Sequence, residues 1–203
     1  SLVRDVAIPD DLRSQVLAAY RALGDGVFVA VRSSATSEDS KDTSFAGMNS
    51  TFTNVIDGDE LLDAVRRCWE SLFGERVVSY RASRGIDAEP ALAVVVQVMV
   101  DAERSGVRFT ADPSTADTSR IVIEGAFGLG EVVVGGEVEP DTYVVDKAGP
   151  RLQSVRVGRK TFAIVRGPDG HDVRVELGDD EACRRVLSDE EVMALAETGL
   201  RIH

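Results

Sequence analysis

Arg32 stands where an apolar run meets a loop of hydroxyls. Val27 to Val31 reads as a β-strand, and Ser33, Ser34 and Thr36 follow directly. The segment closes on Phe45-Ala46-Gly47-Met48 before a second β-type run, Thr51 to Val55. A guanidinium at such a junction suits phosphate, because its planar fork makes two parallel charge-assisted hydrogen bonds. Gly47 has no side chain, so a backbone N–H can approach a ligand closely there. Ser33, Ser34, Thr36 and Thr51 supply hydroxyls. A plainer reading stands beside this one. Loops rich in Ser and Thr are commonly solvated connections, and an arginine after a strand commonly makes a surface ion pair, here with Glu38 or Asp39. The residues by themselves leave both readings open.

Three other places hold candidate chemistry. Gln97 is the one polar residue in the run Ala91 to Val100; it is either an amide reaching a loop or part of a ligand edge. Asp112 precedes Pro113, a natural turn, and a structural role is expected of it. Glu124-Gly125-Ala126-Phe127-Gly128-Leu129-Gly130-Glu131 is glycine-rich, yet it has neither the lysine of a P-loop nor the spacing of a dinucleotide fingerprint. His171 and His203 take part in no Ser-His-Asp or metal-ligand pattern.

The order of these segments carries more than any one of them. Arg-Ser-Ser-Ala-Thr-Ser-Glu-Asp at 32–39 is followed by Ser-Phe-Ala-Gly-Met at 44–48 and Val-Val-Val-Gln-Val-Met-Val at 94–100. Then come Gly-Val-Arg-Phe-Thr-Ala-Asp-Pro at 106–113, Gly-Leu-Gly-Glu at 128–131 and Pro-Asp-Thr-Tyr at 140–143. From about Val27 to the helix expected at 188–199, the chain resembles the nucleotide-binding domain of phosphoenolpyruvate synthases. Pyruvate phosphate dikinases and rifampicin phosphotransferases share that domain. The resemblance implies an ATP-grasp-type fold, ATP and Mg2+ as cofactors, and Arg32 as the catalytic phosphate contact. It implies that Gly47 and Thr51 line the phosphate loop. Backbone groups near Gln97 and Met99 would read the adenine edge between the apolar walls Val96 and Val98. Glu131 and Asp141 become candidate contacts to ribose, metal or a neighbouring domain.

Two family segments have no counterpart here: an early lysine in a glycine-rich context, and a later Gln-Asp-Ile-Glu-Trp with a phosphate arginine. Residues 1–203 are therefore expected to form a partial domain without its two ends, with the metal ligands beyond His203. The parent would use ATP to phosphorylate a histidine on a swivelling domain. That phosphoryl group would pass to pyruvate on an acceptor-binding domain, giving phosphoenolpyruvate, AMP and phosphate. Rifampicin is the alternative acceptor. A non-catalytic nucleotide-binding or interaction module is the third reading. The isolated chain is expected to be inactive.

Charge narrows the partners. With 35 acidic against 23 basic residues the net charge is −12, which repels nucleic acid and anionic membrane. It repels ATP as well, so a nucleotide site needs local positive groups and a divalent metal. No apolar run approaches the ~20 residues of a membrane span, and no signal peptide opens the chain. Cys68 and Cys183 are expected as two buried thiols in a reducing cytoplasm.

The elements that must position these groups follow from periodicity. A helix begins at Pro9-Asp10-Asp11 with Asp10 as N-cap. A second, capped by Asp59, carries the stripe Leu61, Leu62, Val65, Cys68, Trp69, Leu72 and Phe73, which places Trp69 in the core. A third covers Glu75 to about Arg84. The run Leu92 to Val100 is expected as a central strand buried on both faces. Gly106–Ala111, Arg120–Ala126 and Thr142–Val145 are further strands, and Arg151–Val157, Thr161–Arg166 and Asp172–Glu176 a short meander turning at Gly158 and Gly167–Gly170. Ser188-Asp189-Glu190-Glu191 reads as a capping box opening the last helix, with Val192, Leu195 and Ala196 on one face. The expected class is α+β, mainly antiparallel with flanking helices.

Overall fold

Alternation of apolar side chains decides which faces the two units of this chain bury. A computed structural model describes residues 7–35, 50–74, 77–79, 83 and 91–202. The chain divides into two units, Ser1–Val100 with Pro168–His171 and Asp101–Gly167 with Asp172–His203. Both are α+β, and their described strand pairs are antiparallel apart from one isolated parallel bridge, Gly128 to Ile164.

The first unit contains helix α1 (Asp10–Ala22), strands β1 (Val29–Ala35) and β2 (Thr51–Val55), helix α2 (Gly58–Ser71) and strand β3 (Leu92–Val98). Its strand order is β2-β1-β3. One sheet face presents Val29, Val31 and Val55, with Leu92, Val94 and Val96 beside them, to Leu61, Ala64, Val65 and Cys68 of α2. Tyr20 of α1 closes this core, and Trp69 packs against it as the stripe predicts. Residues 77–79 and 83 are helical, and the rest of the helix expected at 75–84 lies outside the described residues.

Two helix starts differ from expectation. Asp57, not Asp59, caps α2: its backbone is extended and its carboxylate accepts the Glu60 N–H at 2.7 Å. Asp59 falls in the first turn, where its charge still complements the helix dipole. Pro9 is the cap residue of α1, and Asp10 lies inside the helix. Runs of several acidic residues mark a helix start without saying which one takes the cap.

The larger correction concerns β3. Among the described strands it is an outer one, and β1 is the central one. Its α2-side residues are half-buried, but Val95 on the opposite face is 45% exposed and Gln97 is exposed. An unbroken β-branched run looks identical whether a strand is covered on two faces or one, because period-two alternation is what tells them apart.

The second unit holds β4 (Arg104–Phe109), β5 (Arg120–Phe127), α3 (Glu131–Val134), β6 (Asp141–Asp146), β7 (Arg151–Arg156), β8 (Phe162–Arg166), β9 (Asp172–Glu176), α4 (Asp179–Ala182) and α5 (Asp189–Ile202). Strands β4-β5-β6-β7 form one sheet in that order. Val192 and Ala196 of α5 cover Ile121, Ile123, Tyr143 and Val145, while Leu195 remains 39% exposed. The capping box of α5 is present: Ser188 N–H donates to Glu191 Oε2 at 2.8 Å, and Glu191 N–H to Ser188 Oγ at 3.2 Å.

The expected meander is not. β7 completes the four-stranded sheet, while β8 and β9 form a separate hairpin. Gly158 is no hairpin turn. A Cβ there would lie 2.2 Å from the Glu139 carbonyl oxygen, so the glycine permits a close backbone approach instead.

Both thiols are free, but only Cys68 is buried; Cys183 is exposed. Burial pushes the Cys68 thiol up to about 11. Because the thiolate is the nucleophile, a disulfide reagent at neutral pH is expected to titrate one thiol per native chain. The second should appear only in denaturant. Two fast equivalents would contradict the burial of Cys68.

Candidate functional site

In the first unit the open sheet face is the one turned away from α2. Thr51, Arg32 and Val95 form one row across its three strands, since Arg32 lies directly opposite both Thr51 and Val95. Directly opposed residues share a face. Arg32 and Thr51 are exposed, whereas Val31 and Ser33 on either side of Arg32 are buried. Arg32 makes no ion pair or hydrogen bond to the described residues. Glu38 and Asp39, and with them Thr36 and Gly47, lie outside those residues. Ser33 leaves the set of ligand hydroxyls. Its Oγ accepts from Ser50 N–H at 2.9 Å and donates to Ser50 O at 3.3 Å, pinning the entry of β2.

Hydrogen-bond phasing sets which backbone groups of β3 are available. Ser33 N–H donates to Ser50 O, and Met99 N–H donates to Phe28 O at 2.8 Å. In an antiparallel ladder such bonds alternate. Even-numbered residues of β1 therefore face β3, and Ala30 faces Gln97. The backbone groups of Gln97 and Met99, expected at an adenine edge, are turned into β1. The groups on the outer edge belong to Val94, Val96 and Val98. Val96 and Val98, expected only as apolar walls, take these positions because β3 pairs with β1 through its odd-numbered residues. The Gln97 side chain stays on the exposed face with Arg32 and Val95.

The glycine-rich segment of the second unit is first of all a packing device. Gly128 has φ +76°. Its N–H donates to Glu103 O at 2.8 Å, Leu129 N–H donates to Ile164 O at 2.8 Å, and a Cβ on Gly128 would sit 2.2 Å from that Ile164 oxygen. Gly130 precedes α3, and Glu131 is exposed in the first turn of that four-residue helix.

Asp141 sits differently from Glu131. It is fully buried and ion-paired to the equally buried Lys160. Its Oδ1 accepts from Lys160 Nζ and from Gly158 N–H at 3.1 Å. Its Oδ2 accepts from Tyr143 OH at 2.8 Å and Val186 N–H at 2.7 Å. A carboxylate offers about four lone-pair positions, and these four donors fill them. Asp141 therefore binds protein, not ribose or metal. The Tyr143 hydroxyl accepts in turn from Leu187 N–H at 2.9 Å, and burial raises its pKa. Nothing in the sequence pairs Lys160 with Asp141. The knot joins β6, the loop before β8 and the segment entering α5.

Asp112 behaves as the turn residue expected. Its carboxylate accepts from Ser114 Oγ at 2.6 Å and Ser114 N–H at 2.9 Å, which holds its pKa down at about 2. Among the described residues no three His, Cys, Asp or Glu come together as a metal site, and no helix is long and apolar enough to cross a membrane.

Comparison with known proteins adds the context. The family model described as the pyruvate phosphate dikinase AMP/ATP-binding domain matches residues 1–203. A probable phosphoenolpyruvate synthase of Methanothermobacter thermautotrophicus is 46% identical over 99% of this chain and 30% of its own length. One from Archaeoglobus fulgidus is 47% identical over 89% of the chain and 24% of its own. The phosphoenolpyruvate synthase of Pyrococcus furiosus is 37% identical over 100% and 26%. The chain thus spans less than a third of the length of these relatives.

Proposed function

Because this chain belongs to the pyruvate phosphate dikinase AMP/ATP-binding domain family, we propose that it is the ATP-binding part of a longer, phosphoenolpyruvate synthase-like phosphotransferase of the cytoplasm. The observation that carries this reading is the exposed row Thr51–Arg32–Val95, whose guanidinium has no partner among the described residues. In this reading Arg32 forks onto the nucleotide's phosphates, and Gly47 and Thr51 complete the phosphate loop. Val95 and the Gln97 side chain flank them, and the outer edge of β3 offers Val96 and Val98 backbone groups to adenine. Glu131 remains an exposed candidate contact.

ATP would phosphorylate a histidine on a mobile domain of the longer chain. Pyruvate on an acceptor domain would then take that group, yielding phosphoenolpyruvate, AMP and phosphate. The relatives, which are phosphoenolpyruvate synthases by name, favour pyruvate over rifampicin. The described residues do not by themselves fit Mg2+, since no cluster of three ligands exists. The reading therefore leaves the metal to the rest of the protein and routes no step through it.

Calorimetric titration with Mg-ATP tests the assignment. The longer protein is expected to bind ATP and to form phosphoenolpyruvate from pyruvate. The 203-residue chain is expected to bind weakly and to transfer nothing, since its net charge of −12 opposes an anion without metal. Micromolar binding by the short chain would show a complete site. A longer protein that neither binds ATP nor forms phosphoenolpyruvate would overturn the reading.

A further inference from the structure

β2 carries one residue more than the stretch of β1 it pairs with. Val29 lies opposite Val55 and Val31 opposite Phe52, so two steps along β1 match three along β2. Thr53 and Asn54 together occupy the length of one β1 residue, Ala30. This is a β-bulge, and Asn54 within it has φ +54°. Left-handed backbone is costly for most L-residues but accessible to asparagine. Asn54 is also buried, at 1% exposure.

The bulge decides which face each β2 side chain takes. Phe52 and Val55 both pack into the core against α2, and the Arg67 guanidinium of α2 lies over the Phe52 ring at 4.2 Å. In a regular strand, residues three apart point to opposite faces. The extra residue cancels that mismatch. Beyond it the ladder resumes with Arg32 opposite Thr51, and Ser33 is tied to Ser50. Without it, the pairing begun at Val29 and Val55 would run on to set Thr53 against Val31 and Phe52 against Arg32. The open face would then carry a phenyl ring in that row, and Thr51 would turn to the α2 side. A one-residue slip exchanges faces in this way.

We infer that Asn54 is a positioning residue: its left-handed backbone sets the register that places the Thr51 hydroxyl, and not the Phe52 ring, opposite Arg32. Asn54 acts through the ladder, from within the fold. The group it serves is the phosphate chain of the nucleotide. This inference rests on the proposal that Arg32 and Thr51 line the phosphate loop.

Steady-state kinetics on the longer protein tests it, with melting temperature measured on the same samples. Thr51→Ala is expected to lower kcat/KM for ATP about tenfold, the usual loss of one hydrogen bond to a charged group. Asn54→Val disfavours φ > 0 through its β-branched side chain and is expected to lower kcat/KM at least as far. Adding Thr51→Ala to Asn54→Val should then cost nothing more, because the hydroxyl is already displaced. Asn54→Gly keeps the left-handed backbone open. Deletion of residue 54 closes a regular ladder with Thr51 still opposite Arg32. Both are expected to keep kcat/KM close to that of the unaltered protein, even where melting falls. Asn54→Ala makes the same comparison if Asn54→Val does not fold. Lowered melting in every Asn54 variant, with kcat/KM unchanged in the folded fraction, overturns the inference. So do losses that multiply in the double variant, or a kcat/KM as low in Asn54→Gly as in Asn54→Val. If Thr51→Ala is silent while Arg32→Ala removes turnover, the inference fails and the nucleotide reading stands. If both are silent, the nucleotide reading fails with it.

Discussion

In the longer phosphotransferase proposed above, Arg32→Ala is expected to lower turnover by about 10²–10³ with an unchanged melting temperature, the usual loss of one transition-state charge contact. Arg32 ends the buried part of the central strand β1, yet its side chain lies on the open face opposite Thr51 and Val95. It holds no described carboxylate, so truncating it strands no buried charge. Arg32→Lys should also be poor, because an ammonium cannot make the bidentate fork. A structural ion pair predicts the opposite split. Normal turnover with lowered melting would remove Arg32 from the site.

Asp141 should give the reverse pattern, and so should its partner. Lys160→Met leaves a carboxylate at 0% exposure without its cation. Breaking a buried pair in this way typically costs about 3–5 kcal/mol, or roughly 10 °C of melting temperature for a chain of this size. Asp141→Ala should cost as much, because it also orphans the Gly158 and Val186 amides and the Tyr143 hydroxyl. The folded fraction of either variant should keep its KM for ATP. A raised KM with unchanged melting would return Asp141 to the nucleotide.

Much of this protein is local and was legible in the residues. The α+β class, the α2 stripe from Leu61 to Trp69, the capping box at Ser188 and the Asp112 turn all depend on neighbours within one or two turns of chain; Phe73, expected in that stripe, lies past the end of α2 and is 54% exposed. The order of the motifs is likewise read along the chain, without any contact between distant segments. Arg32 could be singled out because a strand end followed by a hydroxyl-rich loop is a local event as well.

What the sequence could not determine lies in pairings between distant segments. Among the described strands β1 is central and β3 outermost, which moved the outward backbone groups from Gln97 and Met99 to Val96 and Val98. Residue types carry no signal for the phase of a ladder; the partner strand sets it. Likewise Asp141 and Lys160, one in a motif and one not, meet only because β6 and the loop before β8 come together. A buried carboxylate must find enough donors to offset its desolvation, and only the tertiary fold decides whether these are protein groups or a ligand. At Asp141 they are four protein groups; at Arg32 no acceptor lies among the described residues.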